Sequence, residues 1–159
     1  MPTLPLIGAF PALNARNLNG RTFALPAEFG GMRNVAIVAF QRQHQDLVDS
    51  WFPYLDTLLA THPDVCIYEL PILGGVYTLA RPLIDGGMAS AIPNKLVRDR
   101  TLTVYTDVRR VVAALQITST ATITLLLVDR TGRIFWRDTG AYDAERAGGL
   151  ERALNTLSK

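Results

Sequence analysis

The feature that most constrains the fold is the stretch of residues 34–59, NVAIVAFQRQHQDLVDSWFPYLDTLL. It begins with a near-continuous apolar run, which is typical of a β-strand covered on both faces. Apolar side chains then recur at helical spacing. The stretch therefore predicts a buried strand, a polar turn at residues 41–45, and an amphipathic helix that is capped by Asp46 and kinked by Pro53. The buried stripe of this helix is predicted to comprise Val48, Trp51, Leu55, Leu58 and Leu59.

The polar turn between strand and helix is the first candidate site in the chain. Unpaired backbone N–H groups and the positive end of the helix dipole make a helix start favourable for anions. Arg42 offers a fork of donors and His44 a titratable ring, and Glu69 is expected to end the adjacent strand at the same edge. These side chains predict a carboxylate or small-anion site, whereas a solvated polar turn is the alternative interpretation. The turn consists of Gln41, Arg42, Gln43, His44 and Gln45, none of which is an obvious nucleophile.

Length and charge exclude several classes of protein. The 159 residues fit one domain, and 48% of them are hydrophobic. Sixteen basic against fourteen acidic residues leave a net charge of +2, and the basic residues are scattered, so neither nucleic-acid nor membrane-surface binding is indicated. The longest apolar run, residues 123–128, is far shorter than the roughly 20 residues that cross a bilayer. The proline-rich start does not resemble a signal peptide, and we expect a cytoplasmic protein without membrane insertion.

The cysteine and histidine content limits redox and metal chemistry. Cys66 is the only cysteine, which excludes an intramolecular disulfide and any two-cysteine redox or zinc motif. Its position in an apolar run predicts a buried, inert thiol, because a peroxidatic cysteine needs an exposed thiolate near a helix start. His44 has no second histidine or cysteine close to it in the sequence. We therefore predict no metal site and no cofactor.

The remaining chain alternates between predicted strands and helices. Residues 1–16 contain three prolines and predict an extended N-terminal arm, so the single domain is predicted to span residues 17–159. Asn19-Gly20 between short apolar stretches is typical of a β-hairpin. Asp107 is placed to cap the helix that follows it. Further strands are predicted at residues 65–70, 101–105, 123–128 and 133–137, and further helices at residues 108–115 and 143–157.

The segment of residues 74–100 is the least regular part of the sequence. The strand before it is predicted to end at Pro71, because proline donates no ladder hydrogen bond. The segment itself predicts a short helix at residues 78–84, followed by Gly86-Gly87 as a hinge beside the turn. Its charged side chains are interpreted as internal ion pairs and solvated groups, and partner recognition is the alternative. These charged residues are Arg81, Asp85, Arg98, Asp99 and Arg100.

Several short strings, taken in order, resemble the thioredoxin-like superfamily. Residues 18–25, LNGRTFAL, resemble the "L-x-G-x-x-x-x-L" hairpin that opens TlpA-like domains. Residues 126–134, LLVDRTGRI, resemble the late "F-L-I-D-x-x-G-x-I" hairpin, and residues 112–117 resemble the helix end before it. The resemblance covers nearly the whole chain and implies an α/β fold of the TlpA-like or peroxiredoxin-like (AhpC/TSA-like) branch. It implies a central mixed β-sheet with helices on both faces, an N-terminal β-hairpin, and an insertion at about residues 74–100.

The same resemblance assigns the positions of the family's redox site. TlpA-like proteins read F-W-A-T-W-C-P-P-C-x-x-x-x-P-x-L, and aligning Phe40 with the leading Phe brings the kink proline into register without a gap. In that register Gln45 and Val48 occupy the two cysteine positions, and Ile123 occupies the position of the family's cis-proline. Because exchange requires a thiolate, the resemblance implies neither thiol-disulfide oxidoreductase nor cysteine peroxidase activity.

Two functions remain open from the sequence. The first is a redox-inactive module that binds or assembles an unknown protein or peptide through the edge that carries the turn. A fainter resemblance to Atp10-type mitochondrial assembly proteins, in the Gln-Arg turn and the Tyr-Glu-Leu-Pro strand end, agrees with it. The second is a non-thiol enzyme or small-anion-binding protein, with His44 as general base, Arg42 as electrostatic clamp and Glu69 orienting the imidazole. An exposed sheet edge and the proline-rich arm are compatible with a homodimer.

Overall fold

The computed structural model describes residues 7–157, apart from the side chain of residue 76. The described strands are β1 (Gly8–Ala9), β2 (Leu13–Asn17), β3 (Thr22–Leu25), β4 (Arg33–Ala39), β5 (Val65–Gly74), β6 (Leu102–Thr106), β7 (Thr124–Asp129) and β8 (Arg133–Thr139). The described α-helices are α1 (Gln45–Thr61), α2 (Arg81–Ala91), α3 (Lys95–Arg100), α4 (Val108–Ala114) and α5 (Ala144–Leu157). Among these, no helix combines the length and apolar character needed to span a bilayer.

The strands form one mixed sheet in the order β1-β8-β7-β4-β5-β6-β2-β3. Its centre consists of β4, β5 and β6, which run parallel to one another. The strands that flank this centre, β7 and β2, pair antiparallel with it. Because parallel strands share a direction, the carboxyl ends of β4, β5 and β6 meet at one edge of the sheet, called here the α1 edge.

Helices cover both faces of the sheet, as predicted for the α/β fold. On one face, α1 and α5 bury a cluster that includes Trp51, Leu55, Leu150 and Leu154. On the other face, α4 and the β2–β3 hairpin pack over a second cluster around Leu126. The near-continuous apolar run of β4 is explained by this arrangement, because its side chains alternate between two buried faces.

The elements with strong local sequence signals lie at their predicted positions. The Asn19-Gly20 turn joins β2 to β3, and Gly20 adopts the positive φ that such a turn requires. Helix α1 contains Pro53 and buries Val48, Trp51, Leu55 and Leu58, whereas the predicted Leu59 is half-buried. The Asp107 side chain accepts a hydrogen bond from the backbone of Arg109 and so caps α4, as predicted.

Three local predictions were wrong, one through a neighbouring turn and two through contacts with a distant strand. Asp46 does not cap α1: a 3₁₀ turn at Arg42–His44 runs directly into the helix, which places Asp46 inside its first turn. Strand β5 does not end at Pro71. That residue makes the last pair with β4, at Ala39, and the strand then continues by pairing with β6. Pro71, which has no backbone N–H to donate, therefore lies where β5 stops pairing with β4 and begins to pair with β6.

The third error concerns the glycine pair Gly86-Gly87, predicted as a hinge after a short helix. A 3₁₀ helix at Gly75–Ala80 leads into α2, which continues through both glycines to Ala91. Polar contacts of the inner face of α2, described below, hold the helix to β6. They offset the roughly 1 kcal/mol that each glycine costs a helix relative to alanine.

The N-terminal arm takes part in the sheet. Residues 8–9 pair with β8, and the predicted boundary after residue 16 falls inside β2, which pairs with β3 and β6. The first six residues of the predicted arm, and the last two residues of the chain, lie outside the described residues.

Candidate functional site

The predicted turn lies at the α1 edge, where β4 delivers the chain into α1. After Ala39 the backbone passes through Phe40 and Gln41 into the 3₁₀ turn, and α1 begins at Gln45. The side-chain amide of Gln41 donates to the carbonyl oxygen of Thr120 at 3.2 Å. This bond joins the turn to the loop before β7, so two separate segments of the chain form one surface at this edge.

The turn divides into exposed and buried side chains. Gln41, Arg42, Gln43 and Gln45 are exposed, whereas His44 is only 2% exposed. The Gln43 amide donates to the side chain of Gln41, which orders the two amides on the surface. Within the described part of the chain, the Arg42 guanidinium makes no hydrogen bond or ion pair. Among the described residues, this surface therefore presents the paired amides of Gln41 and Gln43 and the unpaired guanidinium of Arg42 beside a helix start.

His44 holds the turn together from inside. Its Nδ1 accepts a hydrogen bond from the backbone N–H of Phe40 at 3.2 Å, so the neutral ring carries its proton on Nε2. That Nε2 atom is buried and has no hydrogen-bond partner among the described residues. The ring nitrogen that could act as a base is thus occupied by the backbone, which opposes the prediction of His44 as a general base.

Glu69 is buried beneath α1 and does not end its strand, because β5 continues to Gly74. It lies on the same face of β5 as Ile67, which packs into the core under α1. The Gln45 side chain hydrogen-bonds to the Glu69 carboxyl group and also donates to Asp49 Oδ1 at 2.8 Å. Burial, reinforced by the negative charge of Asp49, raises the pKa of Glu69 to about 7.

Arg100 completes this cluster and was not among the predicted site residues. Its guanidinium lies over the ring of Phe52, 4.2 Å from the centroid, and its charge lowers the pKa of Glu69, opposing the effect of burial. The Nε atom of Arg100 is buried without a hydrogen-bond partner among the described residues. Gln45, Asp49 and Phe52 recur at helical spacing along one stripe of α1, which is the signal that could have suggested the cluster.

The structure therefore separates the predicted site into two parts. No hydrogen bond or ion pair within the described residues joins Arg42, His44 and Glu69, the three groups of the enzyme alternative. Arg42 belongs to the exposed surface with Gln41 and Gln43. Glu69 is the buried member of a second cluster, whose other members are Gln45, Asp49, Phe52 and Arg100.

The positions that the resemblance assigns to the redox site have different surroundings. Val48 and Ile123 are both buried in the apolar cluster under α1. Gln45 is exposed but bound to Asp49 and Glu69, as described above. Two of the three positions therefore hold buried apolar side chains, and the third holds an amide that hydrogen-bonds to two carboxyl groups.

Cys66 lies far along the sheet from this surface. It is the second residue of β5 and pairs with Asn34, at the edge opposite the α1 edge. The thiol is half-buried, and burial raises its pKa. The described residues also contain no group of three His, Cys, Asp or Glu side chains arranged to hold a metal ion.

Several solved structures have an architecture similar to that of this chain. A putative thiol:disulfide interchange protein DsbE from Chlorobium tepidum superposes with a TM-score of 0.57 at 12% identity, covering 97% of this chain and 98% of that chain. BsSco, a member of the Sco family of cytochrome c oxidase assembly proteins, gives a TM-score of 0.65 at 11% identity, with 96% of each chain covered. A thiol:disulfide interchange protein from Bacteroides sp. gives 0.58 at 18% identity, covering 96% of this chain and 91% of that chain.

These similarities establish that the chain has a thioredoxin-like fold. They extend over nearly the full length of both partners in each comparison, so the fold is shared as a whole. No protein-family model and no curated protein sequence matches the chain significantly. At these identities the likeness concerns the fold, and function has to be argued from the site.

Proposed function

We propose that this protein is a binding or assembly module that holds a protein or peptide segment at the α1 edge and performs no thiol-disulfide chemistry. The observation that carries the proposal is the exposed Arg42 guanidinium, which has no partner in the described part of the chain and lies between the ordered amides of Gln41 and Gln43. Guanidinium and amide groups together suit a segment that presents a carboxylate and a peptide backbone.

The position of the only cysteine supports the proposal that the protein performs no thiol-disulfide chemistry. Thiol-disulfide exchange at the α1 edge needs a thiolate at the helix start and a second thiol to resolve the mixed disulfide. The single thiol, Cys66, is half-buried at the opposite edge, and its raised pKa favours the protonated form. The non-thiol enzyme has less support than the binding module, because its three proposed groups do not converge.

The binding site is tested by affinity capture from a native lysate with three immobilised proteins: the full chain, Arg42→Ala and Arg152→Ala. Arg152 is exposed on α5 and serves as a matched loss of one positive charge. A hydrogen bond to a charged group contributes about 1.5–3 kcal/mol. We therefore expect partners to bind Arg42→Ala roughly tenfold to a hundredfold more weakly and Arg152→Ala unchanged.

Capture of the same partners with equal affinity by the full chain and by Arg42→Ala would contradict this site. A partner whose binding is abolished by millimolar acetate alone would instead indicate that Arg42 holds a small anion, the second interpretation of the sequence. His44→Ala is unsuitable as a probe, because His44 is buried and binds the backbone of the turn.

The absence of dithiol chemistry gives a separate prediction. The purified chain should not accelerate the reduction of insulin by dithiothreitol, because it lacks the second thiol that exchange requires. The rate of insulin precipitation should equal the uncatalysed rate, both for the full chain and for Cys66→Ser. A two-cysteine thioredoxin serves as the positive control. Acceleration by the full chain that disappears in Cys66→Ser would show that the thiol is catalytic and would reject this part of the proposal.

A further inference from the structure

A cavity of about 220 Å³ lies between the β2–β3 hairpin and α2. None of its lining residues belongs to the site at the α1 edge. On the hairpin side it is lined by Arg16, Leu18 and Gly20, and on the helix side by Pro82, Gly86 and Ala89. The ion-paired side chains of α2 that are described next also line it. This space is called here the hairpin–α2 cavity.

The charged residues of α2 are already engaged by the sheet. Arg81 Nε and Asp85 Oδ2 are 3.3 Å apart, and Arg81 Nη2 donates to the carbonyl oxygen of Thr103 at 3.1 Å. Asp85 Oδ2 accepts a hydrogen bond from the hydroxyl group of Thr103 at 3.0 Å, and Oδ1 accepts one from Tyr105 at 2.8 Å. Both carboxylate oxygens of Asp85 are thus in use, and these contacts hold the inner face of α2 to β6.

Arg16 is the charged residue of the cavity that the fold leaves unpaired. It lies opposite Thr103 where β2 pairs with β6, so its side chain leaves the sheet on the face that α2 covers. The side chain is exposed, and its guanidinium makes no hydrogen bond or ion pair with any described residue. Two guanidinium groups and the Asp85 carboxylate give the cavity a net charge of +1. One negative charge on a ligand would neutralise it.

The rest of the lining supplies apolar contacts and space. Leu18 is 8% exposed and gives the cavity a fixed apolar wall, and Pro82 and Ala89 face it from α2. Gly86 lies between these two along the helix, and a Cβ atom added to it would meet nothing within 4 Å. The missing side chain therefore leaves the cavity open, at a position where glycine costs a helix stability relative to alanine.

We propose that the hairpin–α2 cavity binds a small aliphatic monocarboxylate. Its carboxylate pairs with the Arg16 guanidinium, whose fork of donors matches the two oxygens, and its chain packs against Leu18, Pro82 and Ala89. A phosphate dianion suits the cavity less well, because Asp85 adds a negative charge and only Arg16 is unpaired within the described part of the chain. Clefts for drug-sized molecules measure about 300–1,000 Å³, so this cavity fits a smaller ligand.

The proposal is tested by titrating the full, ¹⁵N-labelled chain with hexanoate at constant ionic strength and following amide shifts by nuclear magnetic resonance. We expect saturable shifts at Leu18, Gly20 and Gly86. Each buried methylene strengthens binding about fourfold, so hexanoate should bind at least tenfold more tightly than acetate. Hexan-1-ol has the chain without the charge and should also bind at least tenfold more weakly than hexanoate.

Two substitutions separate the charge from the space. Arg16→Gln should weaken hexanoate binding tenfold to a hundredfold, whereas Arg110→Gln, a matched loss of one exposed charge on α4, should not change it. Gly86→Leu should fill the cavity and abolish binding. Gly87→Leu is its control, because Gly87 also has open space around it but does not line the cavity. Circular dichroism verifies that each variant is folded.

Absence of saturable shifts in the native chain would overturn the proposal, as would equal affinity of hexanoate for Arg16→Gln and the native chain. Hexan-1-ol that binds as tightly as hexanoate would show an apolar cavity without anion recognition and would also overturn it. A capped peptide with one glutamate and one leucine side chain provides the last comparison. If it bound this cavity at least tenfold more tightly than hexanoate, the cavity would belong to a protein segment and the small-molecule proposal would be rejected.

Discussion

Replacing Trp51 with alanine is expected to destabilise the fold by about 3–5 kcal/mol, the usual cost of removing a large buried aromatic side chain. Trp51 is fully buried where α1 meets the sheet, and its ring makes edge contacts with Trp136 at 6.3 Å and Tyr142 at 5.4 Å between centroids. Its Nε1 also donates to the carbonyl oxygen of Gly140 at 3.0 Å. The substitution removes all of these contacts and leaves a cavity between α1 and β8.

Urea unfolding followed by far-ultraviolet circular dichroism measures this loss without relying on tryptophan fluorescence. Trp51→Phe keeps most of the ring but removes the Nε1 donor, so we expect a smaller loss of about 1–2 kcal/mol. Met32→Ala is the control, since Met32 is 69% exposed and such surface changes stay within about 0.5 kcal/mol. Equal effects of Trp51→Ala and Met32→Ala would contradict the packing described for α1.

The parts of the fold that the sequence predicted well are those with local causes. The Asn19-Gly20 hairpin, helix α1 and the late β7–β8 hairpin each follow from turn chemistry or from a period that a single segment carries. Two elements could not be predicted without knowing where β6 lies. Strand β5 continues beyond Pro71 because it pairs with β6, and α2 continues through its glycines because its charged side binds β6. No local pattern contains that information.

The candidate site also has a part that local sequence predicts and a part that depends on distant contacts. The exposed turn was predictable, because it follows a buried strand and opens a helix. The burial of Glu69 was not, since its partners come from α1 and from Arg100, thirty-one residues further along the chain. A glutamate in an apolar strand is compatible with an edge position or an internal one, and only the packing of α3 against β5 decides between them.

Replacing Glu69 with glutamine is expected to stabilise the protein at pH 8 and to have little effect at pH 5. The pKa of Glu69 is raised from its ordinary value of 4.5 to about 7, so the folded chain binds this proton more tightly than the unfolded chain. The associated stability is fully present below about pH 4.5 and is lost as the pH rises through 7. At 1.36 kcal/mol per pKa unit, the loss amounts to about 3 kcal/mol at pH 8.

Glutamine imitates the protonated carboxyl group and can still accept the hydrogen bond from Gln45, so Glu69→Gln should remove this loss. The measurement is the free energy of unfolding by urea at several pH values from 5 to 8, for the native and substituted chains. Carboxyl groups with lowered pKa values, Asp64 and Asp129, change stability only in more acidic solution and do not interfere in this window.

Asp49→Asn provides the matched test of the cause, because it removes a neighbouring negative charge that raises the pKa of Glu69 while an amide oxygen can still accept from Gln45. We expect the pH-dependent loss of stability in this variant to begin at the same pH, which the unfolded chain sets, but to level off at a lower pH and to be smaller, since the remaining charge at Arg100 favours the ionised carboxylate. Parallel stability curves for the native chain and Glu69→Gln across the whole window would mean that Glu69 is ionised in the folded protein. In that event the positive charge of Arg100 would outweigh the effect of burial, and Glu69 would remain a carboxylate instead of a group that takes up a proton near neutral pH.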